Sequence, residues 1–310
     1  MSEYVNVRAS EILDQGELVA FLKSRFGQRT RTVGRHVTKG TECVEVLVRP
    51  DSPEFEEIRQ FVAARRARGD EEYSILPIGR YIRRYTKVEL RRAEIVQLRI
   101  HSHFEPCGEE CGTIYETLCP HCNLGHQLSG LALDLRRIPQ HKDIHDTIAL
   151  AEWVVSSKFV HLFLEHGLTG AEFKPILNFK DPAKKSDEWY QLVITGRAGK
   201  LADMTKLGRD PFDDSTISWR CPLGHSVAAQ LLSEAFFQRE AWDDSDIAVA
   251  TNLFGAGRNL VRPKPLIVIS QRLFRLMGEA GLKGFSCEVA HLVSSLMAQP
   301  KGDSFAQLPS

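Results

Sequence analysis

Four of the seven cysteines crowd into one short stretch, as Cys107, Cys111, Cys119 and Cys122, in the spacing C-x3-C-x7-C-x2-C. Two close pairs of thiols on adjacent turns suit a tetrahedral Zn2+, which four thiolates at about 2.3 Å close into a structural site. Gly108, Gly112 and Pro120 fit the tight backbone that turns amides toward sulfur. These four cysteines are therefore expected to hold one structural zinc ion; a redox dithiol or reduced thiols are the other readings of the same pattern. An all-cysteine set also points away from catalysis, because a catalytic zinc keeps a water position and a histidine or carboxylate ligand. His121 can replace a cysteine and His126 can support a ligand, but both are expected to be exposed.

Other chemical groups are sparser. Cys221 and His225, in C-P-L-G-H, offer half of a second site that His101, His103 or His291 would have to complete from a distance, so the pair is expected to be structural. His141 and His145 have helical spacing, yet Lys142 stands where a zinc protease needs glutamate. G-R-A-G-K at Gly196–Lys200 is too short for a phosphate loop, G-A-G-R-N-L at Gly255–Leu260 lacks the third glycine of a dinucleotide site, and no G-x-S-x-G elbow occurs. Asp243, Asp244 and Asp246 read as acids at the start of a helix beginning near Ile247, and Cys43 and Cys287 as small core residues.

The elements that must position these groups are unevenly legible. Glu42–Arg49 reads as a strand and Pro53–Arg68 as a helix, with Ser52 before it, acids in its first turn and Gly69 beyond. Residues 73–83 read as a short strand and turn, whereas Val88–Ile100 does not resolve between helix and strand. Lys180–Glu188, polar and carrying a proline, reads as a loop or boundary.

A longer pattern recurs. WVVSSKFVHLFLEHGLTGAEFKPI from Trp153 aligns without gaps on IVISQRLFRLMGEAGLKGFSCEVA from Ile267, matching Ser156 to Ser270, Leu162 to Leu276, Gly167 to Gly281 and Gly170 to Gly284. Each copy reads as a strand, a serine-capped helix ended by glycine, and a second strand. The same offset sets Cys107 on Cys221 and Cys111 on His225. The expected fold is α+β: a mixed sheet with two related strand-helix-strand units and a small four-cysteine zinc knuckle. The expected divisions are residues 1–100, 101–180 and 186–298, with a flexible tail at 299–310.

The 310 residues carry 40 basic and 40 acidic side chains, a balance that removes the simplest argument for a polyanion-binding protein. Residues 1–102 hold a surplus of four positive charges. Two clusters stand out, Lys23, Arg25, Arg29, Arg31, Arg35 and Lys39, and Arg80, Arg83, Arg84, Lys87, Arg91 and Arg92 around Tyr81 and Tyr85; a solvated face is favoured over nucleic-acid binding for both. The absence of a bilayer-length apolar run and of a signal-peptide pattern predicts a soluble, cytoplasmic protein with no membrane partner.

With the cysteine cluster, W-Y-Q-L-V at Trp189–Val193, C-P-L-G-H, and R-N-L-V-R-P-K-P-L-I-V-I-S at Arg258–Ser270 in view, residues 100–295 resemble the double-CXXCG motif family of myxobacterial paralogues. Members of that family are assigned as immunity proteins to polymorphic toxins, so the resemblance implies a protein that binds and silences a cognate toxin. A zinc-stabilised, non-enzymatic binding protein is thus the expectation. A zinc-ribbon nucleic-acid-binding module is one alternative, and a metal-dependent hydrolase or nuclease using Cys221, His225 and nearby aspartates another.

Overall fold

The computed structural model describes residues 1–10, 16–32, 43–68, 79–208, 210–212, 221–223, 225, 230–254 and 262–294. The first block contains β1 (Ser2–Ser10), α1 (Glu17–Phe26), β2 (Arg31–Thr32), β3 (Cys43–Val48), α2 (Pro53–Ala67) and β4 (Gly79–Arg84), with its four strands in the order β2-β3-β1-β4. Period-two alternation sends Val44, Val46 and Val48 to the same buried side as Val5 and Val7, where Leu18 and Leu22 of α1 and Ile58 and Val62 of α2 cover them. The helix read in the sequence is present. Ser52 caps α2 by accepting the Phe55 amide at 3.2 Å, and Pro53 occupies its first position. Gly69 and most of the 73–83 segment lie outside the described residues.

The ambiguous stretch after it is both helix and strand. Thr86 and Glu89 form a reciprocal capping box that starts α3 (Lys87–Arg92), and β5 (Ile95–Ile100) follows. The chain continues through β6 (His103–Phe104), β7 (Tyr115–Cys119), β8 (Leu124–Gln127), β9 (Ala132–Leu133), β10 (Ile144–Thr147), β11 (Trp153–Ser156), α4 (Ser157–Glu165) and β12 (Ala171–Asn178). It then repeats that course: β13 (Asp181–Ile194), β14 (Gly196–Gly199), β15 (Leu207–Gly208), β16 (Gln230–Leu231), β17 (Ala235–Gln238), β18 (Ile247–Phe254), β19 (Lys264–Ser270), α5 (Gln271–Glu279) and β20 (Phe285–Val293).

These strands form two mixed six-stranded sheets, ordered β6-β10-β11-β13-β12-β9 and β14-β18-β19-β5-β20-β17. Position by position the directions agree: the two outermost pairings of each sheet are parallel and the three inner ones antiparallel. The strand at the third inner position is exchanged. β13 enters the sheet of the preceding segment, and β5 enters the sheet of the following one, so neither sheet is complete without a strand from the other course of chain.

Reciprocal contacts lock this exchange. Ser156 caps α4, and its hydroxyl donates to Asp143 at 2.9 Å, whose other oxygen accepts the Lys283 amide at 2.8 Å. Ser270 caps α5, and its hydroxyl donates to Asp246 at 2.7 Å, whose other oxygen accepts the Thr169 amide at 3.1 Å. Gly170 and Gly284 have φ of 94° and 106°, and a Cβ on either would overlap the carbonyl oxygen of Ile247 or Ile144 respectively. One core, including Phe159, Phe163 and Leu192 with Val96, Leu273 and Met277, unites both sheets and both helices.

Three expectations change. Lys180–Glu188 is not a loop: from Asp181 it belongs to β13, in an exposed arm of the β12–β13 hairpin, which is polar because it has no core to face. Asp246 does not begin a helix; strand β18 follows it, and the carboxylate ties two strand-helix junctions together. His145 lies not on a helix but in β10, fully buried, with Nδ1 facing Ser102 Oγ at 2.7 Å and Nε2 facing the Lys142 carbonyl at 3.3 Å. The tail expected at 299–310 lies outside the described residues.

Candidate metal centre

β7 and β8 form a two-stranded antiparallel hairpin whose register slips between Thr117 and Cys119, so the chain bulges as it enters the turn. Cys119 ends β7, Cys122 lies in the turn, and Asn123 takes the left-handed conformation at φ 55° that swings the chain back into β8. Cys221 and His225 lie in the connection between β15 and β16, the paired strands that occupy the corresponding place in the second course of chain. The Cys221 amide donates to the His225 carbonyl at 2.9 Å, which closes a tight turn between them.

The four side chains converge. One ligand atom from each of Cys119, Cys122, Cys221 and His225 lies within 4.8 Å of every other. Cys119 Sγ is 3.8 Å from Cys221 Sγ, while His225 Nδ1 is 3.3 Å from Cys221 Sγ and 3.6 Å from Cys122 Sγ. Bonds of about 2.3 Å to sulfur and 2.0 Å to nitrogen give tetrahedral edges of about 3.8 Å between sulfurs and about 3.5 Å between sulfur and nitrogen. The spacing fits a Cys3His tetrahedron with histidine ligating through Nδ1.

The surroundings suit thiolate ligands. All three sulfurs are buried, with Leu124 and Leu253 packed against them. Burial opposes ionisation of Cys119, but the Cys122 and His121 amides, the Cys122 thiol and His225 outweigh it and bring its pKa down to about 6. Burial raises Cys122 to about 11, with the neighbouring Cys119 and Cys221 adding to the shift, so closely packed thiols resist carrying several negative charges together. A divalent cation relieves that repulsion.

The expected quartet is therefore corrected in half of its members. Cys119 and Cys122 are in the cluster, whereas Cys107 and Cys111 are not. Cys107 instead shares a group with Glu105 and Glu110, and its amide donates to Glu110 at 3.2 Å. Burial pushes its thiol up to about 11, and that of Cys111 up as well, as expected for neutral core thiols. The turn they flank is held by Glu152, which accepts the Gly108 amide at 3.0 Å and the hydroxyls of Tyr115 and Thr147. A side chain at Gly108 would collide with Tyr115, Glu152 and Leu131, so this glycine serves packing and not sulfur ligation.

None of the other histidines singled out joins the cluster among the described residues. His101 meets Ser286, His103 meets Asp146, and His291 meets Glu234 at 2.7 Å. His121 and His126 are exposed, as expected. Cys43 and Cys287 are half-buried, and burial raises the Cys287 thiol to about 12. Much of the positive charge is paired: Arg25 bridges Glu57, Arg29 bridges Glu54 at 3.2 Å, and Arg83 bridges Glu3 at 2.7 Å. Arg35 and Lys39 lie outside the described residues.

No family model matches the chain, and no curated protein matches it. No helix of the described residues is long and apolar enough to cross a membrane.

Proposed function

We propose that this chain is a zinc-clasped, non-enzymatic binding protein made of two related units that exchange a strand, and that it acts in the cytoplasm as an immunity protein silencing a cognate toxin. The observation that carries the non-enzymatic part is the ligand set: four protein atoms at tetrahedral spacing, three of them buried, leave no ligand position for water or substrate. Zinc is the ion favoured by three thiolates and an imidazole in a tetrahedron. When bound, it supplies a cross-link between the β7–β8 turn and the β15–β16 connection, and the remaining residues hold those two loops in place.

The relation between the units is supported by the matched strand orders and the paired Asp–Ser contacts. The immunity assignment rests on the sequence likeness over residues 100–295. Pairing of arginines with acids leaves less support for the nucleic-acid reading, and the use of Cys221 and His225 in the clasp leaves less for a hydrolase. The test is suppression: co-expressed with the product of an adjacent toxin gene, the chain should restore growth and co-purify in fixed stoichiometry. Full toxicity beside soluble, zinc-loaded chain would remove the immunity assignment.

A further inference from the structure

The clasp hairpin carries an apolar surface that the fold does not cover. Alternation along β7 and β8 gives it two faces. The inner face is occupied: Tyr115 donates to Glu152, Gln127 donates to Gln191 at 3.2 Å, and Gly125 lies against the Arg262 guanidinium. The outward face presents Glu116 and His126, with Ile114 and Leu128 joined at its base by a 2.9 Å backbone hydrogen bond. Ile114 is 60% exposed and Leu128 59%. Leu118 at the bulge is 53% exposed, and Leu223, between the two ligands of the facing loop, is 58% exposed. Ile114 and Leu128 are neighbours at the base of this face, and Leu118 follows Glu116 along it, so the exposed aliphatics of the hairpin share one side.

The segment that carries the hairpin is acidic. Residues 100–135 contain no lysine or arginine apart from Arg99's neighbour-free side of the segment and five acids, Glu105, Glu109, Glu110, Glu116 and Asp134, of which Asp134 is paired with Arg136 at 2.9 Å. Glu109, Glu110 and Glu116 are exposed. Arg262 does not offset them on the outward side, because its guanidinium lies 4.9 Å from the Tyr115 ring centroid on the inner face. In a chain of zero net charge this is a local field that steers cationic surfaces and repels anionic ones.

We propose that the outward face of the β7–β8 hairpin, with Leu118 toward its tip, is the docking surface for a basic protein whose contact has an apolar or aromatic centre and a cationic rim. This rests on the binding-protein reading and supplies its surface. The metal fixes the hairpin before binding, so little ordering cost falls on association.

The test is to pan a phage-displayed random-peptide library on the zinc-loaded full-length chain. Enriched peptides should be cationic with aliphatic or aromatic residues, and their affinity should fall with added salt. Ile114→Asp, Leu118→Asp and Glu116→Lys should each weaken them about tenfold or more. Leu164→Asp, at an exposed leucine of α4, should leave them unchanged. Zinc content and melting of each variant establish that the fold is retained. No enrichment, or enriched peptides indifferent to the hairpin variants, would overturn the surface. Peptides bound there by a chain that suppresses no toxin would leave the surface standing and remove only immunity. Suppression that survives the hairpin variants would remove only the surface.

Discussion

At the scale of single residues, the structure separates cysteines that sequence spacing groups together. Cys119 has amides and a histidine around its sulfur, whereas Cys107 has acids and apolar burial. Cys119→Ser and Cys221→Ser should therefore each abolish stoichiometric metal binding, while Cys107→Ser and Cys111→Ser retain it, as read by elemental analysis of purified protein. A second residue sets a pH dependence. Burial lowers the His145 pKa to about 4 from the ordinary imidazole value of 6.5. The unfolded chain then binds the additional proton between these values, so stability is full above about pH 6.5 and falls as pH drops toward 4, by up to about 3 kcal/mol. Denaturant unfolding across that window should show the slope, and His145→Gln should flatten it whatever that variant does to stability at neutral pH.

At the scale of elements, the strand-helix junctions join the two six-stranded sheets. Gly170→Ala or Gly284→Ala should cost about 2 kcal/mol or more, since each combines a left-handed backbone with a carbonyl in the space a methyl needs. Asp246→Ala should cost about as much, because it strands the Ser270 hydroxyl and the Thr169 amide together. Measured losses near zero at these sites would contradict the interlock. Much of this layer was readable in the sequence: Ser156 and Ser270 as caps, Gly167 and Gly281 as left-handed stops, and the strands on either side all sit where periodicity and capping place them. Half of the metal set was not. Just upstream of β11 the two courses align at an offset of 103 residues, as Asp143-Ile144 and Asp246-Ile247 show, whereas from β11 onward they align at 114. The longer strands β18 and β19 and the longer connection between them absorb the difference, so an ungapped comparison set Cys221 against Cys107, when the structure sets it against Cys119. The one available signal was that both half-sites open with Cys-Pro. The strand exchange had no sequence signal, because β5 and β13 read as ordinary strands whichever sheet receives them.

At the scale of the whole molecule, a shared core holds two sheets that already depend on each other for a strand, and the Cys3His cluster joins the β7–β8 turn to the β15–β16 connection. Chelation should therefore leave the strand content, read by far-UV circular dichroism, largely in place but lower the melting temperature by about 10 °C or more, because a bound structural ion contributes its binding free energy to folding. The Cys119→Ser variant should melt at the chelated temperature and gain nothing from added zinc. The most direct measurement is X-ray absorption at the zinc edge of the purified, metal-loaded chain. One ion per chain, with three sulfurs at about 2.3 Å and one nitrogen at about 2.0 Å, is the predicted shell. Four sulfurs, a water oxygen in place of a protein ligand, or folded protein that takes up no metal would contradict it.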